Sequence, residues 1–121
     1  MLLNNLFIPE SLHAEASTWT ATLRLVPEHP ILGGHFPGQP VVPGVCMLDV
    51  LSELVAQALQ REVRLSEASQ VKFLQMWTPD QAPRADYTFT LTELADGWKV
   101  DAVLKHQDKV FLKFMGQYLP A

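Results

Sequence analysis

Residues 33–60 read GGHFPGQPVVPGVCMLDVLSELVAQALQ, and this stretch decides the fold. From Gly44 to Gln60, the residues Met47, Leu48, Leu51, Leu54, Val55, Ala58 and Leu59 recur at spacings of three and four, and Val45 and Val50 widen the apolar face. That period predicts one long helix. Its first turns are apolar nearly all round, so the helix is expected inside the domain rather than laid on its surface. The residues before it are the opposite in kind. Five of the nine prolines fall between Pro27 and Pro43, together with Gly33, Gly34 and Gly38. They predict a loop, and a loop of this length in a compact domain is uncommon unless it is functional.

Working outward, the helical period gives way to a period of two. Ser17 to Val26 places Trp19, Ala21, Leu23 and Leu25 on one face and Thr18, Thr20, Thr22 and Arg24 on the other, as in a half-buried strand. After the helix, Ser69–Trp77 alternates loosely. Ala85–Leu94 alternates well, and Gly97–His106 places Trp98, Val100, Ala102 and Leu104 together. Asp96-Gly97 is expected to turn one hairpin, and Gln107-Asp108 turns the chain into Val110–Leu119. The expected architecture is α+β, a single domain over residues 1–121 with an antiparallel sheet wrapped around one long central helix. The edge strands of so small a sheet invite pairing with a second subunit.

Composition narrows the function. The chain has 121 residues, 48% hydrophobic and 18% charged, enough for one core and too apolar for disorder. Net charge is −4, a poor match to nucleic acid. No phosphate-binding glycine loop occurs. The single cysteine excludes an internal disulfide and suits a reducing compartment. The first residues, MLLNNLFIPE, lack a basic region before the apolar run, and Val41–Ala58 is interrupted by Pro43, Asp49, Glu53 and Gln57. Neither a signal peptide nor a membrane span is expected, and the expected location is cytoplasmic.

The candidate chemistry lies in the opening stretch. His35 sits in the Gly/Pro-rich loop, Gly44 opens the helix, and Asp49 follows His35 by 14 positions. An acid in an apolar helix is costly unless paired or protonated. On the residues alone it is equally a buried carboxylic acid satisfied by a backbone amide and a functional one.

His35-Phe36-Pro37-Gly38-x-Pro40-Val41-x-Pro43-Gly44-Val45, with Asp49 beyond it, resembles the active-site loop of the 3-hydroxyacyl-[acyl-carrier-protein] dehydratases of the FabZ/FabA type. These are hotdog-fold enzymes. Val71-Lys72-Phe73 and Pro79 resemble the strand and turn that follow the helix in that family, and the likeness runs from about Leu32 onward. The resemblance implies that His35 takes a proton from C2 of a 3-hydroxyacyl thioester and that Asp49 protonates the departing hydroxyl. The Gly44 amide, at the helix N-terminus, would hold the negative charge that develops on the thioester oxygen, with Val45 beside it. Phe36, Pro37, Gly38 and Pro43 would shape the loop. His35 and Asp49 would meet across a dimer interface, one from each subunit. No metal or redox cofactor is implied, because the phosphopantetheine arm of an acyl-carrier protein brings the substrate. The implied assembly is a homodimer or higher even oligomer, with a heterodimer possible, and no nucleic acid or membrane partner.

Two residues depart from the resemblance. Asp49 stands where the FabZ branch has Glu, as in the FabA branch, and Glu53 stands where Gln is usual. Asp49 and Glu53 lie at i and i+4, so Glu53 is either a carboxyl that shares a proton with Asp49 and tunes it or an ordinary acid that points to solvent or pairs with a Lys or Arg. Cys46 reads as a small core residue, and His13, His29 and His106 as loop or surface residues without metal-ligand spacing. Trp19, Trp77 and Trp98 read as core, Trp77 with the alternative of lining an acyl tunnel. An acidic carrier docking on a negative chain needs a local basic patch, for which Arg61, Arg64, Lys72 and Arg84 are candidates. The expected activity is loss of water from a 3-hydroxyacyl thioester to give the trans-2-enoyl thioester, in fatty-acid or specialised polyene or polyketide synthesis. The alternatives are a hotdog thioesterase, which His35 argues against, and a non-catalytic acyl-binding subunit of a heterodimer.

Overall fold

The computed structural model describes residues 1–34, 38 and 40–121. The chain runs β1 (Phe7–Glu15), β2 (Thr18–Leu25), α1 (Pro30–Gly34), α2 (Gly44–Leu59), β3 (Val63–Phe73), β4 (Arg84–Leu94), β5 (Gly97–His106) and β6 (Lys109–Pro120). The six strands form one antiparallel sheet in the order β1-β2-β4-β5-β6-β3. The sheet curls around α2, and this is the hotdog arrangement that the loop resemblance implies.

The alternation seen in the sequence sets the inner face. Ala21, Leu23 and Leu25 of β2 are buried with Tyr87 and Phe89 of β4, Val100 and Leu104 of β5, and Leu112 and Tyr118 of β6. They close on Met47, Val50, Leu51, Leu54 and Val55 of the helix. The Tyr87 hydroxyl donates to the Met47 carbonyl at 2.7 Å, which ties β4 to the helix. Gln60 ends α2 in the left-handed conformation (φ 54°), and the Arg61 N–H reaches back to the Ala56 carbonyl.

Four details differ from the sequence pattern. First, β1 has no forerunner in the sequence reading. FIPESLHAE lacks clean alternation, and Pro9 lies at a register shift between Pro9 and Ser11, an irregularity that an edge strand tolerates. Second, β3 runs Val63–Phe73 rather than from Ser69 to Trp77. It is the other edge, and nearly all of its residues are exposed, so no buried face imposes a hydrophobic period on it. Trp77 falls beyond it, in the core. Its indole N–H donates to the Ala82 carbonyl at 2.6 Å, and its ring stacks on Phe111. Its side chain is fully buried, as the core reading expects. Third, the β4–β5 hairpin turns at Ala95-Asp96. Gly97 already belongs to β5, opposite Leu94, where a Cβ would run into the Tyr118 carbonyl. Fourth, the long loop contains the short helix α1, whose Ile31 N–H donates to the His29 ring Nδ1 at 3.1 Å.

Burial raises the titration of two core phenols. Burial pushes Tyr87 well above the ordinary tyrosine value near 10, and nearby Tyr118 adds to this. Tyr118 is also raised, mainly by burial. Unfolded tyrosine releases its proton near pH 10, whereas these two hold theirs to higher pH. Their contribution to stability is therefore complete below about pH 10 and is lost as pH climbs through the folded values. Urea denaturation from pH 8 to pH 11 is expected to show a steeper alkaline loss for wild type than for Tyr87→Phe. Equal slopes would show that Tyr87 keeps its ordinary titration in the fold.

Candidate active site

The site is built on the flank of α2 that the sheet leaves open. Pro43 precedes the helix in extended conformation and provides no side-chain cap. Among the described residues, nothing outside the helix accepts the Gly44 or Val45 N–H. The first amides of a helix have no partner within it, so two donors and the positive end of the helix dipole point out of the fold together. The ring of Phe73, the last residue of β3, lies against this terminus. A Cβ at position 44 would stand 2.8 Å from two of its ring carbons, so any other residue would push the half-exposed Phe73 ring aside. Val45 and Phe73 leave apolar surface beside these amides, Val45 itself being 62% exposed.

Asp49 lies on this open flank and is exposed. The expectation of a helix buried all round is corrected here. One sheet can wrap one side of a helix, and the side bearing Val45 and Asp49 receives no cover from its own chain. Cys46 lies one turn before Asp49 and is buried; burial, with the Asp49 charge adding, raises its thiol titration. It behaves as a core residue and not as a nucleophile. One turn after Asp49, the Ser52 hydroxyl meets the Tyr118 hydroxyl at 2.9 Å. The Tyr118 phenol is raised first by burial, is partly offset by the Ser52 hydrogen bond, and also feels the Asp49 charge. Asp49 is thus electrostatically joined to a hydroxyl pair that the sequence reading missed. Ser52 could have been found from its i+3 relation to Asp49. Tyr118 comes from β6, and no local pattern pointed to it.

Glu53 is held by the N-terminal backbone, a contact that the sequence reading did not include. Both of its carboxylate oxygens accept the Leu2 N–H, at 3.1 and 2.9 Å, and one also accepts the Leu3 N–H at 3.0 Å. The side chain therefore anchors the N-terminal segment to the helix. The loop partners fall elsewhere. His35, Phe36 and Pro37 lie outside the described residues. Gly38 is exposed with φ +82°, a conformation that favours glycine.

Beyond Ser52 a groove of about 530 Å³ follows the same helix flank, lined by Ser52, Glu53, Ala56, Gln57, Arg61 and Val63 among others. Of the basic candidates, Arg84 is bound to Glu10 at 2.6 Å and Arg61 lies over the Trp98 ring at 5.1 Å. Arg64 and Lys72 are exposed on β3. No metal-binding cluster of three His, Cys, Asp or Glu occurs among the described residues. No described helix is long and apolar enough to cross a membrane.

A single long helix held in a six-stranded antiparallel sheet, with its working flank uncovered, defines a hotdog-fold protein. The family model described as ApeI-like, ApeI dehydratase, matches residues 11–110, and the chain belongs to that family. The match supports a hotdog dehydratase family, the ApeI-like one, and not specifically the FabZ/FabA type.

Solved structures bear out the fold. A chain of the dehydratase heterocomplex ApeI:P from Xenorhabdus doucetiae is similar at 21% identity and TM-score 0.76, over 93% of this chain and 97% of that one. Protein PH1136 from Pyrococcus horikoshii is similar at 14% identity and TM-score 0.70, over 98% and 86%. The PaaI protein of the E. coli phenylacetic acid degradation operon is similar at 14% identity and TM-score 0.66, over 92% and 78%. No curated protein sequence matches.

The hydrogen bonds at Glu53 separate its two possible roles. Glu53→Ala is expected to cost about 1–3 kcal/mol in urea denaturation, as charge-assisted bonds to the N-terminal amides are lost. The pH dependence of any turnover is expected to stay in place. A displaced pH profile at unchanged stability would return Glu53 to a proton-sharing role with Asp49.

Proposed function

We propose that this chain is a dehydratase of 3-hydroxyacyl thioesters carried on an acyl-carrier protein. The observation that carries this reading is Asp49, an acid standing exposed on the uncovered flank of α2, beyond the free amides at its N-terminus. The family match and the His35-to-Asp49 spacing support it.

The chemistry follows from what each group can do. His35 accepts the proton from C2, as a neutral imidazole can near neutral pH. The charge that builds on the thioester oxygen is held by the Gly44 N–H, with the Val45 N–H beside it. Asp49 in its protonated form gives its proton to the hydroxyl on C3. The C3–O bond breaks, water leaves, and the C2=C3 double bond forms. Proton exchange returns both side chains to their starting states. No redox step occurs, and neither metal nor redox cofactor is invoked. Phe36, Pro37, Gly38 and Pro43 shape the approach to His35. The acyl chain would continue past Ser52 into the groove along the helix.

A second hotdog subunit would cover the exposed flank and complete the site. We take it to be another copy of this chain, because this chain carries both His35 and Asp49. The ApeI:P heterocomplex offers the specific alternative of a different hotdog partner. The pathway, fatty-acid or specialised polyene or polyketide synthesis, and a cytoplasmic location belong to the same proposal.

The test is hydration of a trans-2-enoyl thioester on acyl-carrier protein, followed by mass spectrometry. Wild type is expected to add water, and His35→Ala and Asp49→Asn each to lose about 10²–10⁴-fold in rate. The solution mass is expected at twice the 13.6 kDa chain. An inactive monomer that gains activity on adding a different hotdog chain would make the enzyme a heterodimer. Turnover undiminished in both variants would overturn the assigned roles.

A further inference from the structure

The lysines of this chain are placed unevenly. Of the five, Lys72, Lys105, Lys109 and Lys113 lie at one end of the sheet, and Lys99 lies at the other. Lys72 of β3 and Lys113 of β6 are direct cross-strand partners, and both are exposed. Lys113 is in turn opposite Val103, two residues from exposed Lys105 on the same face of β5. Lys109 opens β6 at the adjoining hairpin and donates to the Gln81 side chain at 3.2 Å.

Like charges directly opposite one another weaken a sheet, so fold stability does not account for the Lys72–Lys113 pair. Two acids share the outward face, Asp101 beside Lys113 and Asp86 across from Lys105, but Asp101 pairs with Lys99 and no ion pair reaches the Lys72–Lys113 pair among the described residues. Asp86 accepts the Thr22 hydroxyl, and Asp108 lies in the turn before Lys109. Among the described residues, none of these four lysines forms an ion pair. The position is as informative as the charge. Lys72 immediately precedes Phe73, whose ring lies against Gly44 at the helix N-terminus. The stripe therefore rims the end of the sheet where the proposed reaction centre opens. A subunit pairing along the backbone edge of β3 would leave this outward face free.

We infer that the Lys72–Lys113–Lys105 stripe is the docking surface for an acidic substrate-bearing partner, the acyl-carrier protein. The inference rests on the proposed function and replaces Arg61 and Arg84, which are already engaged, as docking residues. The chain is net negative, so an acidic partner is repelled at long range and needs a concentrated local patch to orient on.

Lys72→Glu is the informative substitution, because it places opposite charges across β3 and β6 and spares the fold. Calorimetric titration with purified acyl-carrier protein is expected to give at least ~10-fold weaker binding for Lys72→Glu, and further weakening when Lys113→Glu is added. Lys99→Glu, at the far end, is expected to bind as wild type does. Raising the salt is expected to weaken wild-type binding and to leave the Lys72→Glu, Lys113→Glu double variant little changed. In turnover, Lys72→Glu is expected to raise KM for the carrier-bound enoyl thioester but not for the same acyl group on N-acetylcysteamine. Unchanged binding in the double variant, or an equal loss on both thioesters, would overturn the docking surface. Wild type that binds carrier yet turns over neither thioester would overturn the dehydratase reading while leaving the docking result standing.

Discussion

The constraint on which this structure depends is geometric: one sheet can cover only one side of one helix. The inner flank of α2, with Met47, Val50, Leu51, Leu54 and Val55, is fully enclosed by β2, β4, β5 and β6. The outer flank, with Val45 and Asp49, has no cover from its own chain. The domain thus folds around the helix and leaves Asp49, exposed Val45 and two amides without a partner among the described residues on the uncovered side. Burying such a surface against a second subunit is favourable in proportion to its apolar area. The same step would take Asp49 out of water, a condition suited to a proton donor.

The polar groups along α2 divide the labour. Tyr87 fixes the helix from below through the Met47 carbonyl, and Tyr118 and Ser52 form a hydroxyl pair beside Asp49. Glu53 anchors the N-terminal segment. Each holds the helix against a different part of the sheet or chain, so the helix N-terminus is kept in place without a capping side chain. Among the described residues Gly44 and Val45 are uncapped, at a cost in local stability, which is consistent with donors available to a ligand.

The two edges of the sheet behave differently. β1 contains Pro9 and a register shift, features that discourage pairing. β3 is eleven residues long and carries exposed Val71 and Phe73. β3 has two register shifts of its own but no proline, so it is the more open of the two edges. The lysines stand on the face of that open side, not on its backbone edge, so subunit pairing and carrier docking need not compete.

The sequence by itself determined the central helix, the three C-terminal strands and the family likeness of the His35–Asp49 stretch, because each is carried by local spacing. A helix or half-buried strand writes its period into consecutive residues, and the loop chemistry lies within 15 positions. Only the tertiary structure decided which flank of α2 is open, since a nearly all-apolar first turn reads the same on every side. It also decided the edges. β1 and β3 have little or no buried face to impose a period, and so one was missed and the other misplaced. The assignment of Glu53 to the N-terminal amides, of Tyr118 to Ser52, and of Lys72 to Lys113 joins residues far apart along the chain. Such pairings depend on register across the sheet, and register is set by the packing of the whole domain.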